Sequence, residues 1–273
     1  MTDGSISVAD APTRSEVDQS SVSARAFEAA TRSLFKEAGL RPGMRVLDFC
    51  SGAGDVAFLV RELIGSEGQV VGIDETPGTV ALAKERAAFR GLNNVDFVAS
   101  KVDSLPFERE FDAVVGRVVL MYRRDPASDL RNLMRHLKPG GLCIFQEMDL
   151  LTGKTTPPAP VIDQVRSWIL RAFSQAQIEP EMGTKLFSVF KNSGLEEPQM
   201  RIDGLMGGSR SVGPAVIANI ARILLPQITG LGIASAETVQ IDTLENRIRA
   251  DLERSGSVMS LPLLIGAWAR PAP

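Results

Sequence analysis

The 273-residue chain has one histidine, His136, and two cysteines, Cys50 and Cys143. Two thiols are too few for a disulfide framework or a cysteine-built zinc site. A Ser-His-Asp triad or a histidine metal site has only His136 to draw on. That residue lies in MRHLKPGG near a predicted helix end, away from the loops that follow the strands, where its charge would favour the helix dipole. No H-x-E or C-x-x-C spacing occurs, so no metal is expected. No apolar run reaches the ~18 residues of a membrane span. The start, MTDGSISVADAPTRSEVDQSS, lacks the basic end and apolar centre of a signal peptide. A cytoplasmic protein with no membrane partner is expected. With 30 basic residues against 33 acidic, no broad positive field exists to hold nucleic acid.

What is present is ordinary for a globular enzyme: 44% hydrophobic and 23% charged residues. Residues 1–22 are polar and read as a disordered tail. From Ser23 to Leu40, Phe27, Ala30, Leu34 and Phe35 recur at helical spacing and predict an amphipathic helix, placed as a lid. Short apolar strands then alternate with helices: RVLDF, QVVGI, NVDFVA, FDAVV and LCIFQ. This rhythm predicts an α/β fold, a doubly wound, mostly parallel Rossmann-like sheet. Residues 23–150 form the predicted cofactor-binding core. Residues 151–197, with Trp168, Phe173, Met182, Phe187 and Phe190, are expected to form a helical cap gripping substrate, and 198–273 return to the core with a helical insertion. Met259 to Trp268 is expected as a closing strand, at an edge or bulged because of Pro262.

The stretch DFCSGAGDVA follows the first strand and opens a helix, with Gly52, Gly54 and Ala57 at G-x-G-x-x-A spacing and Asp74 at the tip of the second strand. Glycines let the backbone approach a ligand closely, and the acid accepts hydrogen bonds from ribose hydroxyls. A nicotinamide dinucleotide and S-adenosylmethionine both fit this pattern. Asp48 separates them: a carboxylate four residues before Gly52 repels a pyrophosphate and suits the ammonium of a methionine tail.

VLDFCSGAGD resembles the first motif of class I S-adenosylmethionine-dependent methyltransferases. VVGIDETPGTVALAKERA, VKVDSLPFEREFDAVV and LRNLMRHLKPGGLCIFQE resemble the later ones, in order. The resemblance implies a seven-stranded core, S-adenosyl-L-methionine as cofactor and a small-molecule substrate. It implies that Asp48, Gly52 and Gly54 line the methionine and ribose, and that Asp74 and Glu75 hold the ribose hydroxyls. Val102 and Asp103 would frame the adenine, and Arg117 and Val118 would complete the pocket. Two positions depart from the pattern. Cys50 stands where the family has its first glycine. Lys101 stands where an aspartate usually contacts the adenine amino group, a bond lysine cannot accept.

Methyl transfer from a sulfonium asks the protein mainly for alignment and exclusion of water. The residues beyond strands four and five are the candidates: Tyr122, the sole tyrosine, toward the cofactor, and Glu147 as a catalytic base or as a salt bridge or cap. Arg123 and Arg124 read as a solvated pair. The expected activity is methylation of a small hydrophobic or aromatic metabolite, at oxygen before carbon or nitrogen. A repurposed cyclase retaining the cofactor, an NAD(P)-dependent oxidoreductase and a non-catalytic binding module stay open, as does a homodimer.

Overall fold

The computed structural model describes residues 14–272, with side chains from residue 25 onward. In chain order the elements are α1 (Arg14–Ala38), β1 (Arg45–Phe49), α2 (Asp55–Ile64), β2 (Gln69–Asp74), α3 (Pro77–Phe89), β3 (Val95–Ala99), β4 (Phe111–Arg117), α4 (Pro126–Met134) and β5 (Leu137–Asp149). Then come β6 (Lys154–Thr156), α5 (Pro160–Gln175), α6 (Met182–Ser193), β7 (Gln199–Asp203), β8 (Met206–Gly207), α7 (Gly213–Ile223), α8 (Leu225–Gly230), α9 (Ala236–Val239), α10 (Leu244–Ser255), β9 (Val258–Ser260) and β10 (Leu263–Ala269).

The main sheet has the order β3-β2-β1-β4-β5-β10-β7. Strands β1 to β5 are parallel, and β10 runs antiparallel to both its neighbours. Apolar side chains on both faces of β1, β2 and β4 require cover on both sides. One face packs with α1, α2 and α3 around Leu34, Phe35, Val46 and Phe97. The other packs with α4 and α6, where the rings of Phe145 and Phe190 meet edge to face at 6.3 Å. The expected doubly wound fold is the one observed. The strand order reverses between β1 and β4, and in such sheets ligands bind outside the carboxyl ends at that point.

Four expectations are corrected. First, α1 begins at Arg14, so residues 14–22 are helical rather than tail; residues 1–13 lie outside the described residues. Second, the lid reading of α1 gives way to a packed helix. Leu34 is fully buried and fills the space that a Cβ on Gly266 would need, 2.5 Å away. Third, Pro262 marks no edge. It sits between β9, in a small antiparallel sheet with β6 and β8, and β10, interior to the main sheet. A proline N–H is not missed where the chain changes sheets. Fourth, the cap is assembled from two stretches of chain. Helix α6 lies on β5 and β10 as part of the core, while α5 packs with α7, α8 and α10. The cause is burial: Met182 and Phe190 of α6 are covered by the sheet, and Phe187 is 43% exposed.

Candidate active site

At the exit of β1, Cys50 (φ 53), Gly52 (φ 52) and Gly54 (φ 90) have left-handed backbones. The chain therefore tolerates a side chain at Cys50, at a cost of about 1–2 kcal/mol. A Cβ on Gly52 would meet nothing within 4 Å, so this glycine faces open space. A Cβ on Gly54 would fall 2.7 Å from Cζ of Phe97, so here only glycine fits. The loop is locked to the next strand. The Ser51 N–H donates to the Ile73 carbonyl at 2.9 Å, and Gly52 N–H to Asp74 Oδ2 at 3.1 Å. Arg86 secures the far side, donating to the Ala53 carbonyl and pairing with Asp55 at 2.7 Å.

Beyond β3, Val102 is buried, while Lys101 and Asp103 are exposed on a short 3-10 turn tied back to β2 through Ser100 N–H and the Asp74 carbonyl at 3.0 Å. Glu75 is exposed and pairs with Arg123 at 3.2 Å. Arg123 also binds Asp129 at 2.6 Å, so it is a brace between β2 and α4; only Arg124 fits the solvated-pair reading.

The most polar enclosed region lies where α1 crosses β1, β4 and β5. Asp48 is buried, and its Oδ2 has no hydrogen-bond partner. Burial pushes its carboxyl up to about 8, against the pull of Arg117 and the Ala57 N–H. Arg117 pairs in register with Gln146. Its Nη1 donates to Thr31 Oγ1 at 3.2 Å, and burial lowers its affinity for a proton. Thr31 in turn bonds Gln146 Oε1 at 2.7 Å, leaving the buried Gln146 Nε2 unpartnered. Unpaired buried polar atoms are costly and mark places where a ligand completes the bonding.

After β4 the chain passes through Val118 (φ 55) into the 3-10 turn Leu120–Tyr122. A β-branched residue in this region is strained by about 1–3 kcal/mol. Glu147 is fully buried; its Oε1 accepts the N–H groups of Val119 (2.8 Å) and Leu120 (2.7 Å), and its Oε2 that of Met121 (3.4 Å). Burial raises its carboxyl to about 7 despite these bonds. A carboxyl enclosed in this way does not reach a substrate proton, so the expectation of a direct base is corrected to that of a backbone anchor. Tyr122 is 53% exposed, yet burial of its phenol and the Glu147 charge push it up to about 12.

The expected residues thus gather at the carboxyl ends of five adjacent strands, β3-β2-β1-β4-β5. Thr31 and Gln146 join them unforeseen, and Arg123 joins them as a brace rather than as a solvated side chain. The only sequence signal for Gln146 was a polar residue interrupting an apolar strand. His136 lies at the opposite, amino ends of β4 and β5, its Nδ1 2.7 Å from the Phe107 carbonyl. Among the described residues no cluster suited to a metal and no helix long and apolar enough to cross a membrane occurs.

A family model described as a methyltransferase domain matches residues 40–186, more than half of the chain. The chain belongs to this methyltransferase family. Its fold is that of the class I S-adenosylmethionine-dependent enzymes. Among curated proteins this methyltransferase is 31% identical over 180 residues to the ubiquinone/menaquinone biosynthesis C-methyltransferase UbiE of Xanthomonas oryzae, covering 62% of this chain and 66% of that one. It is 37% identical over 121 residues to the 2-phytyl-1,4-naphtoquinone methyltransferase of Synechococcus elongatus, covering 43% and 51%. The match thus spans about half to two thirds of these relatives' length. Among solved structures, the YcgJ protein of Bacillus subtilis superposes with a TM-score of 0.57 at 22% identity, over 90% of this chain and all of that one.

Proposed function

We propose that this methyltransferase moves the methyl group of S-adenosylmethionine to a small, hydrophobic acceptor bearing an ionisable phenol or quinol, with ring carbon as the preferred acceptor atom. The observation that carries the cofactor half is the pairing of an unpartnered, buried Asp48 oxygen with the enclosed Arg117. A buried acid that a ligand ammonium would ionise and a buried guanidinium within coulombic reach of it complement an amino-acid zwitterion, the ammonium against Asp48 and the carboxylate against Arg117. Gly52 and Gly54 admit the ribose, Asp74 and Glu75 accept from its hydroxyls, and Val102 offers an apolar wall to the adenine, with Asp103 at its amino edge in place of Lys101. Cys50 and Val118 close the loop walls. The bound cofactor supplies an electrophilic methyl on a sulfonium.

The acceptor half rests on the chain's own acid–base inventory. Glu147 is enclosed, and His136 lies just before β5, at the opposite ends of the strands. The acceptor therefore arrives already ionised, which suits a phenol or quinol, whose negative charge is shared between oxygen and ring carbon. The Tyr122 phenol stays protonated at neutral pH and can donate to the acceptor oxygen. The name of the Xanthomonas relative, a C-methyltransferase of quinone biosynthesis, supports carbon over oxygen. The cap of α5, α7, α8 and α10 supplies apolar cover and keeps water out.

Incubation with methyl-labelled S-adenosylmethionine and a series of reduced naphthoquinones and simple phenols tests this reading. A new carbon-bound methyl in the product, with S-adenosylhomocysteine formed in equal amount, is the expected result. An oxygen-bound methyl overturns the choice of atom; cofactor binding without turnover on any of them overturns the acceptor class.

A further inference from the structure

Two consecutive residues of β5 hold four consecutive backbone N–H groups at the exit of β4. The Gln146 carbonyl accepts from Val118 at 2.7 Å, and the Glu147 carboxylate accepts from Val119, Leu120 and Met121. The first residue of this run, Val118, has a left-handed backbone that a β-branched side chain disfavours. Among the described residues no arginine or lysine pairs with Glu147, so a fully buried carboxylate is retained with backbone amides alone as partners. A turn of this length has ordinary neutral caps available. A buried charge converging on the strained segment exceeds what capping requires. The segment ends at Tyr122, which is 53% exposed at the carboxyl ends of β4 and β5.

We infer that Glu147 is a positioning residue: its carboxylate clamps the strained 118–121 backbone and thereby sets the Tyr122 ring where the acceptor is received. This inference rests on the proposed reading of the strand exits beyond β4 and β5 as the acceptor site. Strain held by surrounding bonds is a common way of fixing a reactive geometry. Glu147 takes and gives no proton here; it acts through Tyr122.

The chain has a single tyrosine, so ¹³C labelling at its phenol carbon yields one NMR resonance reporting on Tyr122 alone. The resonance is recorded with and without S-adenosylhomocysteine for the wild type, Glu147→Gln and Glu147→Leu, with the melting temperature and the S-adenosylhomocysteine affinity of each. Gln keeps an oxygen for Val119 and Leu120 and is expected to reproduce the wild-type resonance. Leu removes the acceptor and is expected to shift the resonance toward free tyrosine or split it, with cofactor affinity held within about threefold. If Glu147→Leu does not fold, Glu147→Asp, whose shorter arm withdraws from the amides, is read in the same way. A lowered melting temperature with an unmoved tyrosine resonance makes Glu147 a structural cap only and overturns the inference. So does a displacement in Glu147→Gln equal to that in Glu147→Leu. Loss of S-adenosylhomocysteine binding by the wild type itself would count against the proposed function, while the apo resonances would still decide the clamp.

Discussion

The carboxylate of Asp74 and the backbone of Gly52 are joined by a 3.1 Å hydrogen bond, and the other oxygen of Asp74 accepts from Thr76 N–H at 2.9 Å. One side chain therefore braces the glycine loop from the neighbouring strand and keeps further lone pairs, which the proposed function assigns to ribose hydroxyls. An asparagine must turn its amide toward one of these donors and loses that bond. Asp74→Asn is expected to weaken S-adenosylhomocysteine binding by about 1.5–3 kcal/mol, roughly 10- to 150-fold, as read by calorimetry. Unchanged affinity would remove Asp74 from the site.

Gly54 and Gly91 form a matched pair for separating crowding from backbone strain. Both have positive φ, but a Cβ on Gly91 meets nothing within 4 Å, whereas one on Gly54 lies 2.7 Å from Phe97 and 3.0 Å from Phe58. Gly91→Ala is expected to cost about 1–2 kcal/mol of stability and leave cofactor affinity intact. Gly54→Ala is expected to cost about 1–3 kcal/mol more and to lower that affinity, because the ring edges beneath push the loop outward. Chemical denaturation and calorimetry on both variants provide the comparison.

Asp48 gives stability and binding opposite pH dependences. Its carboxyl is raised from 3.8 to about 8, mainly by burial. A raised acid favours the folded state fully below the unfolded value, and that contribution is lost as pH rises through about 8. Asp48→Asn is therefore expected to melt progressively higher than wild type as the buffer is moved from pH 6 to 9. A ligand ammonium favours the ionised form, so cofactor binding is expected to release a proton near pH 7 and to tighten as pH rises. Calorimetry in buffers of different ionisation enthalpy measures that proton. The asparagine variant should bind more weakly and show no release.

Asp251 tests whether the cap is independent of the nucleoside site. It is buried on α10, and its Oδ2 accepts Val161 N–H at the start of α5 at 2.8 Å. Asp251→Ala leaves that donor buried and unpaired, an expected loss of about 1–3 kcal/mol in unfolding free energy. The affinity for S-adenosylhomocysteine is expected to stay within about twofold, since the strand exits that hold it are untouched; a tenfold loss would mean that cap and cofactor loop are coupled.

The five core strands, the glycine loop, Asp48 and Asp74 were legible in the sequence, because strand periodicity and left-handed turns are local properties of neighbouring residues. Local pattern also singled out Tyr122 beyond β4 and Glu147, which lies within β5 rather than past its end, though not what they touch. The hydrogen bonds of Glu147 run to residues 119–121, across two strands paired through the sheet. The cap was misassigned for the same reason. Helices α5 and α6 look alike as amphipathic segments, and only the available apolar surface sends one to the sheet and the other to α7 and α10. The amino-acid order alone thus decided the class of sheet and the chemistry of the cofactor loop. Packing decided which helix covers which face, that Thr31 and Gln146 meet Arg117, and that the carboxylate expected as a base is enclosed, since burial is set by distant parts of the chain closing over it.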